Sequence, residues 1–263
     1  MPLTAIAEFV GAVNNVLWNQ GQVLIYMLLF AGIWFTAKLG ILQVWHFKHM
    51  FSLLKTSTTA DKSGISSFQA LCTSLSARVG TGNLAGVAIA ISLGGSGAIF
   101  WMWVIAFLGM ATGFAESLLA QVYKVRNSDS EFRGGPAYYI RQGLNNRWLA
   151  LLFSLSLFVG YGFIFGANQA NTIVDALNHN YGVPTNYLSI GITVIAGIVV
   201  LGGLRGIARF SAVVVPFMGL AYVIVALGIT LINFSAVPAM LYDIITSAFG
   251  LQEAGAGAFG AAI

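Results

Sequence analysis

A short polar string interrupts a long apolar segment and is the first candidate for chemistry in this chain. It reads Gly80-Thr81-Gly82-Asn83 and follows Arg78 closely. Each Gly in a helix interior costs ~1 kcal/mol relative to Ala, so a continuous helix gains nothing from this string. A helix that unwinds here frees N–H groups at the start of its second half and C=O groups at the end of its first half. The N–H groups suit a carboxylate, and the C=O groups suit a small cation such as Na⁺.

Close helix packing is the alternative interpretation of the same glycines. Gly82 and Gly86 lie four residues apart, and small residues at that spacing let two helices approach closely. The pairs at 109/113, 162/166 and 202/206 have the same spacing and are predicted to serve packing. Ionisable residues inside a membrane usually mark functional sites, so the neighbouring Arg78 favours a binding site at 80–83.

Two further groups of polar residues lie within apolar segments. Glu116 could hold a proton or cation, or it could form a structural ion pair with Arg78 or with a loop Arg, and both interpretations stay open. Asn168 and Thr172 share one helix face, and Gln169 points elsewhere. Three amides at 168, 169 and 171 exceed what helix association needs, so one face of this segment is predicted to line a cavity.

The composition places all these residues in a membrane. Of the 263 residues, 58% are hydrophobic and 8% are charged, whereas a soluble domain has about 25% charged residues. The single cysteine, Cys72, excludes a disulfide framework. The net charge of +4 does not indicate nucleic-acid binding, because the basic residues lie mostly in alternate connections between the apolar segments. With no nucleophile–base set and no phosphate loop, the sequence predicts an all-α polytopic membrane protein that is not an enzyme.

The apolar segments have the length of membrane spans. A spanning helix needs ~20 mostly apolar residues. The sequence predicts a membrane domain over residues 21–263, preceded by an amphipathic surface helix over residues 1–20. The predicted spans lie near residues 22–45, 65–93, 97–124, 148–176, 186–204 and 210–233.

The basic residues predict the orientation of these spans. Of the 12 Lys and Arg residues, all except Arg78 lie in alternate connections or at their edges. Short cytoplasmic connections collect Lys and Arg. A six-span chain with its N-terminus outside therefore fits this distribution.

Several longer motifs resemble those of the alanine or glycine:cation symporter family, the sodium:alanine symporters. The resemblance covers nearly the whole chain. The motifs are Ser67-Phe68-Gln69-Ala70-Leu71-Cys72, Arg78-Val79-Gly80-Thr81-Gly82-Asn83-Leu84-Ala85-Gly86-Val87-Ala88, Phe100-Trp101-Met102-Trp103, Phe114-Ala115-Glu116 and Gly134-Gly135-Pro136-Ala137-Tyr138-Tyr139-Ile140.

The resemblance implies a leucine-transporter-like fold with one extra N-terminal helix and two inverted five-helix repeats. It implies sodium-coupled symport of alanine or glycine across the bacterial inner membrane, with Na⁺ as coupling ion and no other cofactor. Backbone carbonyls of Ser76 and Val79 would contribute to a sodium site. The residues implied to bind or border the substrate are Gly80, Thr81, Gly82, Asn83, Phe165, Gly166 and Gln169.

The family pattern continues beyond residue 263. The stretch 255–263 resembles the approach to a further discontinuous helix. The second repeat is therefore expected to be missing, which would make this chain an N-terminal fragment that does not transport alone. The alternative function is that of a non-transporting membrane scaffold or a regulatory partner of a full-length transporter.

Overall fold

A computed structural model describes residues 2–56, 65–126 and 132–249 and confirms an all-α architecture. The α-helices are α1 (Pro2–Asn14), α2 (Val23–Lys38), α3 (Leu42–Trp45), α4 (Phe47–Thr56), α5 (Ser67–Arg78), α6 (Thr81–Gly94), α7 (Gly97–Val122), α8 (Pro136–Gly143), α9 (Arg147–Val159), α10 (Gly166–Tyr181), α11 (Thr185–Leu201), α12 (Gly203–Ile232) and α13 (Val237–Ala248). Two π-helical segments, Asn15–Asn19 and Gly160–Phe165, and a short 3₁₀ turn, Phe234–Ala236, join some of them. Strands β1 (Val125–Arg126) and β2 (Phe132–Arg133) form one short antiparallel pair.

Four helical stretches are long and apolar enough to cross a membrane. They are Thr4–Lys38, Gly97–Val122, Arg147–Tyr181 and Gly203–Ile232. Ala85–Gly94, Thr185–Leu201 and Phe234–Ala248 are shorter apolar helices. The stretch near the N-terminus includes the residues predicted to lie on the membrane surface. That surface location and the six-span count stay predictions.

The chain divides into two compact units. Of the described residues, the first comprises 2–47, 88–116 and 239–249. The second comprises 48–56, 65–87, 117–126 and 132–238. The interruption between α5 and α6 lies in the second unit, together with α8 to α12.

In the first unit, α2 approaches α7 at a glycine. A methyl group on Gly32 would lie 2.9 Å from Cβ of Leu108, so the absence of a side chain there permits the contact. Beyond α2 the chain turns through Gly40 and Ile41, both left-handed, with φ of 66° and 54°. Gln43 of α3 is buried and donates from Nε2 to the Phe107 carbonyl at 3.1 Å. The predicted span near 22–45 is therefore wrong as a single helix, because it bends at 39–41.

The end of α13 packs on the start of α7, also within the first unit. The indole Nε1 of Trp101 donates to the Ala248 carbonyl at 2.7 Å. The Ser96 hydroxyl donates to Oγ of Ser247 at 3.2 Å. The rings of Phe100 and Phe249 lie 5.5 Å apart, centroid to centroid. We call this set of contacts the α7–α13 contact.

In the second unit, α5 begins with a capping box and packs against α12. The Ser66 hydroxyl accepts from the Gln69 N–H at 3.1 Å, and the Gln69 side chain accepts from the Ser66 N–H at 3.0 Å. Such a box fixes where a helix starts, because it satisfies two N–H groups that the helix leaves unpaired. Cys72 of α5 is only 2% exposed, which agrees with a packing role.

Helix α12 begins earlier than the sequence suggested. Arg205 and Arg209, which precede the predicted span near 210–233, lie in the first turns of α12. The turn itself is at Gly202 and Gly203, where Gly203 has a φ of +61° that favours glycine. Arg is a good helix former, so its charge alone does not end a helix. The span near 210–233 stays a prediction.

Candidate functional site

The helix interruption predicted from the glycines is present in the second unit. Helix α5 ends at Arg78, and Val79 is extended, with φ of −94° and ψ of 98°. Helix α6 starts at Thr81, so only Val79 and Gly80 lie between the two helices. The interruption therefore lies earlier than the predicted 80–83, because Thr81, Gly82 and Asn83 form the first turn of α6.

Asn83 bonds across this interruption. Its side-chain Nδ2 donates to the Arg78 carbonyl at 2.7 Å, and its backbone N–H donates to the Gly80 carbonyl at 3.2 Å. The amide orientation is fixed chemically, because a carbonyl oxygen can only accept. Asn83, predicted to bind substrate, thus holds the end of α5 against the start of α6.

Gln169 of α10 lies directly beside the interruption. A methyl group on Gly80 would lie 2.7 Å from Nε2 of Gln169 and 3.1 Å from its Cδ and Oε1. Only a residue without a side chain leaves this space to the amide. The structure therefore brings together Gly80 and Gln169, which lie far apart in the chain and were both predicted to be site residues.

Phe165 and Gly166 lie one turn before Gln169, at the junction of the π-helix and α10. Residues three and four apart share a helix face, so these two lie on the face that carries Gln169. The ring of Phe165 lies 5.0 Å from that of Tyr161, centroid to centroid. π-Helical turns inside long helices occur frequently at functional sites.

A chain of hydroxyl groups links the end of α5 to α12. The Ser76 hydroxyl donates to the Thr73 carbonyl at 2.7 Å, and its Oγ lies 3.4 Å from Oγ of Ser211. Either hydroxyl can be the donor in the second contact, because each carries one hydrogen and accepting lone pairs. Ser211 is 5% exposed and was not singled out from the sequence, where one Ser in an apolar helix carries no distinguishing signal.

The other predicted residues have these positions. Val79 forms the extended link itself, and Arg78 supplies the carbonyl that Asn83 binds. Glu116 lies near the C-terminal end of α7 and is exposed. Its role as a cation site or ion-pair partner stays a prediction.

Within the described residues, the close approach at the interruption is at Gly80 and not at Gly82. A methyl group on Gly82 would meet no atom within 4 Å there, whereas one on Gly80 would meet the polar side chain of Gln169. The binding role of residues 80–83 stays a prediction.

Replacing Asn83 with Ala is expected to weaken the link between the end of α5 and the first turn of α6. The loss of the bond to the Arg78 carbonyl should cost ~1 kcal/mol and expose the first turn of α6. Hydrogen exchange of the backbone amides at 81–84 should become several-fold faster. Ser92→Ala is the matched control, because Ser92 bonds the Ile89 carbonyl at 2.8 Å within α6 only. Equal exchange at 81–84 in both variants would refute a role for Asn83 across the interruption.

The sequence also matches known proteins along most of its length. A family model described as the sodium:alanine symporter family matches residues 3–263. The chain is 46% identical to an uncharacterized transporter of Escherichia coli over 96% of this chain and 53% of that protein. It is 43% identical to a probable sodium/glutamine symporter of Bacillus subtilis over 98% of this chain and 54% of that protein.

A third relative is a putative sodium/proton-dependent alanine carrier protein of Bacillus subtilis. It is 42% identical over 98% of this chain and 52% of that protein. The chain thus spans about half the length of the curated relatives it matches.

Proposed function

Because the chain belongs to the sodium:alanine symporter family, we propose that it forms part of the binding site of a sodium-coupled symporter for a small neutral amino acid. The family is one of transporters, so the expectation that the chain is not an enzyme is confirmed. The observation that carries the proposal is the side-chain amide of Gln169 beside Gly80, at the interruption between α5 and α6.

The interruption offers complementary groups for a zwitterion and a cation. The N–H groups at the start of α6, at Thr81 and Gly82, carry the positive end of a helix dipole and suit the substrate carboxylate. The carbonyls near the end of α5, at Ser76 and Val79, suit Na⁺. The Gln169 amide supplies both a donor and an acceptor beside them. Phe165 and Gly166 border the same space in this proposal.

The proposed substrate is alanine or glycine. The family description and the name of one relative mention alanine, and another relative is named for glutamine.

The proposed topology has six spans with the N-terminus outside, and the placement of the basic residues in alternate connections supports it. We further propose the leucine-transporter-like arrangement that the family resemblance implies.

Ligand-dependent thermal unfolding tests the proposed function. The purified chain in detergent is heated with alanine, glycine or glutamine, in either sodium chloride or choline chloride. We expect alanine or glycine at 100 times its Kd to stabilise the chain by about 2.7 kcal/mol, in sodium only. An equal shift in choline would refute sodium coupling. A shift with glutamine alone would refute the proposed substrate, and no shift with any amino acid would refute the site.

A further inference from the structure

Helix α4 differs in length and in residue pattern from the stretches that can cross a membrane. It runs from Phe47 to Thr56, so at 1.5 Å per residue it is about 15 Å long, half the thickness of the ~30 Å hydrocarbon layer. The crossing stretches are apolar over most of their length, whereas α4 combines apolar and polar residues at helical spacing. A short helix of this kind suits the surface of a membrane rather than its interior.

One face of α4 is apolar and exposed. Five large apolar side chains share this face or its edge at helical spacing, namely Phe47, Met50, Phe51, Leu53 and Leu54. Each of the five is between 40% and 57% exposed. Together they form one contiguous strip along the helix, and water solvates such a strip poorly. We call this strip the apolar face of α4.

The opposite face of α4 is polar. Lys48, His49 and Ser52 lie on it, and all three are exposed. The Ser52 hydroxyl donates to the His49 carbonyl at 2.8 Å, and its Oγ lies 3.3 Å from Nδ1 of the His49 ring. These contacts stay within the helix and leave the polar face open to water. The helix is thus divided lengthwise into an apolar and a polar half, as helices at a membrane–water boundary are.

The course of the chain brings α4 to a membrane surface. Helix α2 ends at Lys38, whose Nζ lies 5.2 Å from the centroid of the Trp34 ring. Trp is enriched where helices leave the hydrocarbon layer, and Lys near a helix end extends towards the headgroups. The link 39–46 contains helix α3 and cannot span a ~30 Å bilayer, because helical residues advance only 1.5 Å each. Helix α4 therefore starts at the surface where α2 ends, just after Trp45, which is 78% exposed.

We propose that the apolar face of α4 inserts about 5–10 Å into the boundary between the headgroups and acyl chains of the bilayer, with Lys48, His49 and Ser52 towards water. A protein partner suits this face less well. Five half-exposed side chains offer about 500 Å², whereas a stable protein–protein interface takes about 800 Å² from each partner. A bilayer accepts an apolar strip of any outline. The proposal rests on the membrane location of the chain and is independent of the substrate proposed above.

Spin-label accessibility tests the proposed orientation of α4 in the intact chain. Met50→Cys and Ser52→Cys each carry one nitroxide, on opposite faces of the helix, and the chain is reconstituted into phosphatidylcholine vesicles. Cys72 is 2% exposed, so the wild-type chain should take up no label and is the control. Molecular oxygen concentrates among acyl chains, whereas a charged nickel chelate stays in water. We expect oxygen to relax the label at position 50 several-fold faster than the label at position 52, and the chelate to do the reverse.

Two results would overturn the proposal. Equal access of the nickel chelate to both labels would mean that α4 lies in water. A label at position 50 that is shielded from both reagents would mean that protein covers the apolar face. The pair Leu53→Cys and Lys48→Cys repeats the comparison if the first pair does not fold. The measurement needs neither sodium nor an amino acid, so its failure is distinguishable from a failure of the proposed function.

Discussion

Replacing Gly80 with Ala should abolish most amino-acid binding while leaving the protein folded. The added methyl group would lie 2.7 Å from Nε2 of Gln169, which is the end of a flexible side chain and can move away. The free energy of unfolding should therefore change by less than about 1 kcal/mol. Loss of a hydrogen bond to a charged ligand costs about 1.5–3 kcal/mol, so the affinity for alanine should fall roughly 10- to 100-fold. Calorimetric titration of the purified variant with alanine in sodium chloride measures this loss.

Two further variants show whether the methyl group acts through Gln169. Gln169→Ala removes the amide and leaves room for the methyl group. The double variant Gly80→Ala, Gln169→Ala should therefore bind alanine no more weakly than Gln169→Ala alone. Gly109→Ala is the matched glycine control, because a methyl group there would meet no atom within 4 Å. Wild-type affinity in Gly80→Ala would contradict the proposed role of the amide.

Replacing Gly97 with Ala should instead destabilise the protein. The methyl group would lie 2.6 Å from the carbonyl carbon and oxygen of Ser247 and 2.7 Å from the Ala248 nitrogen. All three are backbone atoms, so α13 must shift as a whole. We expect a loss of about 1–3 kcal/mol in the free energy of unfolding, measured by denaturant titration in mixed micelles. The same Gly109→Ala variant is the control and should be as stable as the wild type or slightly more stable.

The Trp101→Phe variant separates the α7–α13 contact from general packing. It keeps an aromatic ring but removes the indole N–H that donates to the Ala248 carbonyl. We expect the free energy of unfolding to fall by about 1 kcal/mol, measured by the same denaturant titration. If Gly97→Ala proves as stable as Gly109→Ala, the end of α13 does not pack on α7 in the membrane.

The interruption between α5 and α6 was predictable because it depends on local residue types. Glycine, Thr and Asn are all poor helix formers, and together at 80–83 they indicate unwinding. They do not indicate at which residue it starts. In the structure α6 begins at Thr81, where Asn83 bonds back to the Arg78 carbonyl. Helix propensities of single residues do not predict such a contact.

The bend at 39–41 was not predictable from local sequence. Ile41 has a φ of 54°, a conformation that β-branched residues rarely adopt, so its residue type argues against the bend. Gln43 stabilises the region through the Phe107 carbonyl, which comes from a distant part of the chain. Pairings of this kind, like that of Gly80 with Gln169, appear only once the helices are packed.

The π-helical segment Gly160–Phe165 sets the rotational phase of everything that follows it in the stretch Arg147–Tyr181. Successive residues of an α-helix are about 100° apart around the axis. Losing or gaining one residue at 160–164 would therefore turn Gln169 away from Gly80, although neither of these two residues changes. An insertion or deletion at 160–165 rotates α10 about its own axis relative to α9. Related chains that differ in length there can therefore present different side chains to Val79 and Gly80.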